Sequence, residues 1–222
     1  ARACKALTPR FKSGWRLQKQ PPLCCVKRRL VSSYPYIYMQ PSPKIILQTD
    51  RLRLRELTPA DLPALCRVLQ DEQAMYAYEH AFSDEEVHAW LQNQLRRYRE
   101  DGFGLWGAER KENGQLIGQC GLTKQPVNGM FVTEIGYLFE RAFWHRGYAT
   151  EAAAACKEYA FGTLKIPAVY SIIRNNNLPS QRVALRNGMQ PCGEIVKHYH
   201  GIDMPHILFR AINPDRAFSD ER

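Results

Sequence analysis

Trp144-His145-Arg146-Gly147-Tyr148-Ala149-Thr150-Glu151-Ala152 carries more information than any other stretch of this chain. Upstream of it, Glu134-Ile135-Gly136-Tyr137-Leu138-Phe139 is a short apolar run rich in strand formers. Downstream, Ala149, Ala153, Cys156 and Ala160 recur at helical spacing as far as Phe161. The order is therefore strand, tight glycine turn, helix. A helix N-terminus carries unpaired N–H groups and roughly half a positive charge, which suits a phosphate. Gly147 lets the backbone approach an anion, and Ala149 keeps the wall low.

A second motif follows in Asn177-Leu178-Pro179-Ser180-Gln181-Arg182-Val183-Ala184-Leu185-Arg186-Asn187-Gly188-Met189. Asn177 reads as a helix start with Pro179 in the first turn. Val183 and Ala184 supply a buried side, and Gly188 supplies the stop. The two motifs together resemble the GNAT acetyltransferase superfamily. In that family an R/Q-x-x-G-x-G/A turn holds the coenzyme A pyrophosphate, and the second motif is a helix beside the pantetheine arm. Trp144 stands where Arg or Gln is usual. That variant is similar to the subgroup containing the ribosomal-protein N-terminal acetyltransferases, whose version reads W-G-x-G-Y-A-T-E-A. His145 replaces the first Gly of that version, which predicts a looser turn. The resemblance runs from about Gln48 to Ile212. It implies a mixed α/β fold with a largely antiparallel central sheet flanked by helices. It is specific for acyl-CoA and uninformative about the acceptor.

The net charge of +9 misleads. Of the 31 Lys and Arg, ten fall in residues 1–49, which hold no Asp or Glu; the other 21 are balanced by 22 acids. The basic character belongs to the first segment, so it is no argument that the rest binds nucleic acid. Residues 1–43 are expected to be a basic extension and 44–222 the acetyltransferase domain. The extension reads as non-native or disordered sequence upstream of Met39, with an organellar presequence or a nucleic-acid arm as alternatives. No apolar run approaches a membrane span. The seven cysteines show no metal-ligand spacing, and Cys66, Cys120 and Cys156 sit in apolar stretches, which fits a reducing cytoplasm.

Along the domain, Lys44–Leu57 reads as a first strand. Thr58-Pro59-Ala60-Asp61 opens a first helix, and Ser83-Asp84-Glu85-Glu86 is a capping box for a second. Phe103–Arg110 and Leu116–Leu122 read as strands joined across Glu112-Asn113-Gly114. Val127–Met130 reads as a turn and Thr133–Phe139 as the strand before the phosphate turn. Ala168–Arg174 is a later strand, and Met189–His200 with Asp203–Ile212 an antiparallel pair.

The chemistry follows from these placements and from the resemblance. The resemblance implies that the strand at Tyr137, Leu138 and Phe139 splays from its neighbour. Its backbone groups then bind pantetheine and polarise the thioester carbonyl. Trp144, His145, Arg146, Gly147, Tyr148, Ala149 and Thr150 are expected around the pyrophosphate. Glu134 is the charged residue in an otherwise apolar strand and the candidate general base; burial would raise its pKa toward use, although it could equally serve only to pair with a cation. Ser180 is the candidate donor to the leaving thiolate, or else a helix cap, and Asn177 binds the pantetheine amide, caps its helix, or both. Many relatives use a Tyr as that donor, but this helix has none. Tyr76, Tyr78 and Glu79 lie in the loop that walls the acceptor cleft in relatives, and Tyr199, between His198 and His200, lies on a late strand near where acceptors bind in that subgroup, so all four are expected to contact the substrate. His198, His200 and His206 lack a partner set for zinc, so no metal is expected. The expected reaction is transfer of an acetyl group from acetyl-CoA to a primary amine, either a protein N-terminus or a small molecule. The expected partners are acetyl-CoA and that amine, with a homodimer left open and no membrane. A non-catalytic acyl-CoA-binding module on the same fold is the rival reading.

Overall fold

The structure is a computed structural model that describes residues 42–78, 80–199 and 201–217. The first expected strand is in fact a hairpin. β1 (Ile45–Gln48) and β2 (Leu52–Arg55) pair antiparallel. Their turn contains neither Gly nor Pro and so left no signal. Thr49 builds it: its N–H donates to the Leu52 C=O, and its hydroxyl oxygen accepts the Leu52 N–H, both at 2.9 Å.

α1 (Leu62–Leu69) follows a short turn in which Asp61 accepts the Thr58 N–H at 2.8 Å and two bonds from the Arg55 guanidinium. α2 (Asp84–Glu100) opens on the expected capping box, with Ser83 and Glu86 bonded reciprocally at 3.2 and 2.8 Å. β3 (Leu105–Arg110), β4 (Leu116–Val127) and β5 (Met130–Phe139) then run antiparallel. The β4–β5 hairpin is longer than expected, and its turn is only Asn128-Gly129, both at positive φ (49° and 80°). Pro126 does not end β4. The β3 pairing of β4 stops at Gly121, so the missing Pro126 N–H faces a side with no ladder to complete.

α3 (Tyr148–Gly162), β6 (Ala168–Arg174), α4 (Leu178–Arg186), β7 (Gln190–Tyr199), β8 (Ile202–Ile212) and a short α5 (Pro214–Ala217) complete the order. The sheet runs β1-β2-β3-β4-β5-β6-β8-β7, antiparallel throughout except between β5 and β6. This is the expected mixed, largely antiparallel α/β fold. α3 covers one face through Ala152, Cys156 and Ala160 against Trp106, Ile117 and Ile135. α1 and α2 cover the other through Leu65, Leu69, Val87 and Leu91 against Leu57 and Leu116. Each buried Leu, Ile or Val among these stabilises the fold by roughly 1.5–3 kcal/mol. Among the described residues no helix is long and apolar enough to cross a membrane.

Candidate active site

The site begins where β5 and β6 part. Their parallel pairing lasts only through Thr133 with Val169 and Glu134 with Tyr170. Two side chains take over the ladder at that point. Glu134 accepts the Ile172 N–H at 3.3 Å, and the Ser171 hydroxyl donates to the Ile135 C=O at 2.9 Å. The strands therefore separate without leaving these buried groups unpaired.

The register fixes what faces the split. The Glu140 N–H donates to the Ile117 C=O at 2.9 Å, so Leu138, Gly136 and Glu134 exchange bonds with β4. Ile135, Tyr137 and Phe139 then aim their backbone groups toward β6. The Phe139 C=O is met by the Trp144 indole N–H at 2.8 Å. Of the three residues expected to offer backbone here, Tyr137 presents both groups and Phe139 its N–H. Leu138 presents neither; its side chain packs against the α1–α2 core.

The turn after β5 matches the expected anion site in shape. Gly147 is the N-cap of α3 at φ 80°, and no side chain caps the helix. The first intrahelical bond runs from the Glu151 N–H to the Gly147 C=O, leaving the N–H groups of Tyr148, Ala149 and Thr150 outside the helix ladder. His145 does not open the turn. It takes the left-handed conformation that a glycine would take there, with φ 60°. Trp144, His145, Gly147, Tyr148, Ala149 and Thr150 line a cleft of about 740 Å³. The Tyr148 ring itself is buried in the core, so its contribution is backbone. The Arg146 guanidinium stacks on Phe143, 5.5 Å from the ring centre.

Sequence reasoning missed Arg51, which braces this turn. Its guanidinium pairs with Glu151 at 2.5 and 2.6 Å, donates to the Arg146 C=O at 2.9 Å and lies 4.4 Å from the Tyr148 ring centre. Burial opposes the charge of Glu151, but Thr49 and Arg51 hold its carboxyl below the usual range. Glu151 in the first turn and an Arg across the hairpin were the available signals.

α4 closes the same side of the cleft. Asn177 caps it, accepting the Ser180 N–H at 3.2 Å, and also accepts the Tyr76 hydroxyl at 2.6 Å. Tyr76 thus reaches from the α1–α2 connection to the α4 cap. The Ser180 side chain is half-buried and lines the cleft. A tyrosine does reach this helix, though from a strand: the Tyr137 hydroxyl donates to the Ser180 C=O at 2.8 Å. Burial raises the Tyr137 pKa well above its ordinary value, so the phenol stays protonated.

Glu134 lies on the opposite sheet face, paired in register with Thr123, whose hydroxyl donates to it at 3.2 Å. Burial raises its pKa, partly offset by Lys197, the Ile172 N–H, Thr123 and Arg97. Tyr78, Arg97, Lys197 and His206 line the cleft on this side. His206 was considered only as a metal ligand. It is buried, its Nδ1 bonds the Met204 C=O at 2.8 Å, and burial lowers its pKa, which leaves Nε2 as an acceptor at neutral pH. His198 is an exposed residue paired with Asp203. Glu79, His200 and the Tyr199 side chain lie outside the described residues. Among the described residues no group of three or more His, Cys, Asp and Glu is placed to hold a metal.

A parallel pair that splits beside an uncapped helix N-terminus leaves backbone N–H and C=O groups open along one cleft. Residues 51–190 match the family model described as the acetyltransferase (GNAT) domain, and the chain belongs to that family. It is therefore an acetyl-CoA-dependent acyltransferase. It is 36% identical over 147 residues to the uncharacterized protein YkkB of Bacillus subtilis (strain 168), covering 66% of this chain and 86% of that one. It is 28% identical over 163 residues to the uncharacterized N-acetyltransferase YoaA of the same organism, covering 72% and 92%. Among solved structures, RimL, the ribosomal L7/L12 alpha-N-protein acetyltransferase in complex with coenzyme A, superposes with a TM-score of 0.63 at 20% identity, covering 76% of this chain and 98% of that one.

Proposed function

We propose that this protein transfers the acetyl group of acetyl-CoA to a primary amine by direct attack, with Glu134 as general base. The observation that carries the reading is the β5–β6 split with Glu134 at its apex. The uncapped α3 turn and α4 stand on one sheet face, and Glu134 opens onto the other. Acetyl-CoA can then enter from the α3 side and the amine from the α2 side, meeting in the gap. The cleft falls within the roughly 300–1,000 Å³ usual for such ligands.

The N–H groups of Tyr148, Ala149 and Thr150 bind the pyrophosphate, and Tyr137 backbone groups pair with the pantetheine arm. Glu134 takes the ammonium proton, directly or through one water, and frees the nitrogen lone pair. The N–C bond forms as the C–S bond breaks, the nitrogen's second proton passes to the leaving thiolate to give the free thiol, and charge on the carbonyl oxygen is met by a backbone N–H of β5. The Ser180 hydroxyl donates a hydrogen bond to the departing thiolate. Asn177 holds the start of α4 and offers its amide to pantetheine.

The test is a screen of amines and N-terminal peptides with acetyl-CoA, reading thiol release. Release that depends on the amine and on Glu134 is expected. A protein that binds CoA and acetylates no amine would contradict the reading.

A further inference from the structure

Two cations on the acceptor face have no role in the transfer step. Arg97, on α2, and Lys197, on β7, both line the cleft. Among the described residues Arg97 donates only a long bond to Gln94, at 3.4 Å. Neither cation forms an ion pair among the described residues. Both are half-buried, so each gives up water without gaining a carboxylate.

Their place in the fold separates them from the phosphate site. Lys197 pairs in register with Met204, two residues from the pairing of Ile195 with His206. Ile195 packs with Leu208, Ile172 and Val132. Val132 and Glu134 share a face of β5, so Lys197 shares the face of Glu134. Arg97 approaches that face from α2. The α3 turn lies across the sheet. Among the described residues, Arg174 is engaged with the Tyr76 C=O at 3.0 Å, His206 is neutral, and the other carboxylate that acts on Arg97, Asp101, is paired with Lys124 at 2.8 Å. Both cations act through space on Glu134. Among the described residues that line the cleft on this face, a plain alkylammonium ion would meet these two cations and one carboxylate.

We propose that the acceptor is an amine that also carries an anionic group, a carboxylate or a phosphate, bound by Arg97 and Lys197 while its nitrogen faces Glu134. The inference rests on the acetyltransferase reading above and names its substrate class. Charge complementarity of this kind selects partners by both attraction and repulsion.

The experiment measures kcat/KM for matched acceptors with the full chain and acetyl-CoA. Aspartate amide is set against asparagine amide, and O-phosphoethanolamine against ethanolamine. In at least one pair the acidic member is expected to be preferred by about tenfold or more, equivalent to ~1.4 kcal/mol. The pair that responds identifies the anion. In Arg97→Gln and Lys197→Gln that ratio should fall toward one, with the Kd for CoA unchanged as proof of an intact fold. Equal or reversed ratios in both pairs, or a preference that survives both substitutions, would overturn the inference and leave the transferase reading standing. Acetylation of no amine at all would overturn both.

Discussion

In the proposed reaction the two faces of this sheet act together, and they are built in opposite ways. On the α3 face the groups proposed to bind are backbone: the N–H groups of an uncapped helix start and the open edge of β5. On the α2 face they are side chains gathered from distant segments, with Thr123, Glu134, Lys197 and His206 drawn from four different strands. A backbone site demands small residues at fixed spacing, so it writes a motif. A side-chain site demands only that elements converge, and it writes none.

The largest expected effect falls on the side-chain face. Glu134→Gln keeps the shape of the residue, and its amide oxygen can still accept the Ile172 N–H while its NH2 group donates to the Thr123 hydroxyl, but it removes the proton acceptor. Turnover should fall by roughly 10²–10⁴-fold, while the Kd for CoA holds, since Glu134 stands across the sheet from the phosphate turn. A parallel loss of CoA affinity would mean that the two faces are not separate.

Gly147→Glu should do the reverse. It places a carboxylate against the pyrophosphate and forces a side chain into φ 80°. CoA binding should weaken by about 2 kcal/mol or more, read by calorimetry on protein with an intact circular-dichroism spectrum. An unchanged affinity would remove the pyrophosphate from this turn. Arg51→Ala should act on the same face more mildly. The Arg51–Glu151 pair is partly exposed, so its loss is expected to lower stability by up to ~1 kcal/mol, seen as a lower Tm, with the deficit growing when CoA is present because the unbraced turn binds it less well. Ser180→Ala should be smallest, slowing turnover by the equivalent of about 1 kcal/mol, the scale of a single neutral hydrogen bond. Higher pH should not restore it, because the thiolate still lacks its donor.

The sequence made the α3 face readable almost in full. Gly147, Asn177 and Gly188 each stand where a special conformation or a cap is required, and glycine and Asn are the residues that supply it. Two misreadings there were conformational. Thr49 makes a turn that needs no Gly, so β1 and β2 merged into one strand. His145 takes a left-handed φ that the sequence assigns to no particular residue. The α2 face was readable at Glu134, conspicuous as a charge in an apolar strand, and at Tyr78 in the aromatic connection before α2. Arg97 looks like any outward residue of an amphipathic helix, and His206 like any histidine in a hairpin. Their meaning depends on the order β5-β6-β8-β7, which brings β7 and β8 beside the split and which local pattern cannot supply.

The destination of the amine's proton decides the mechanism, and the pH–rate profile of wild type beside Glu134→Gln reads it directly. Burial raises the pKa of Glu134, so the carboxylate is present only above that raised value. Wild-type kcat/KM should therefore fall with decreasing pH along a limb lying above the ordinary carboxylate range. Stability should move oppositely, declining as pH rises through the same window, because the folded state holds the proton more tightly than the unfolded chain. The variant should lose the limb, and its rate should climb with pH as more of the amine is already neutral, narrowing the gap to wild type. Near-normal rates for Glu134→Gln across neutral pH would contradict the assignment and move the base to His206, the buried imidazole of the same face.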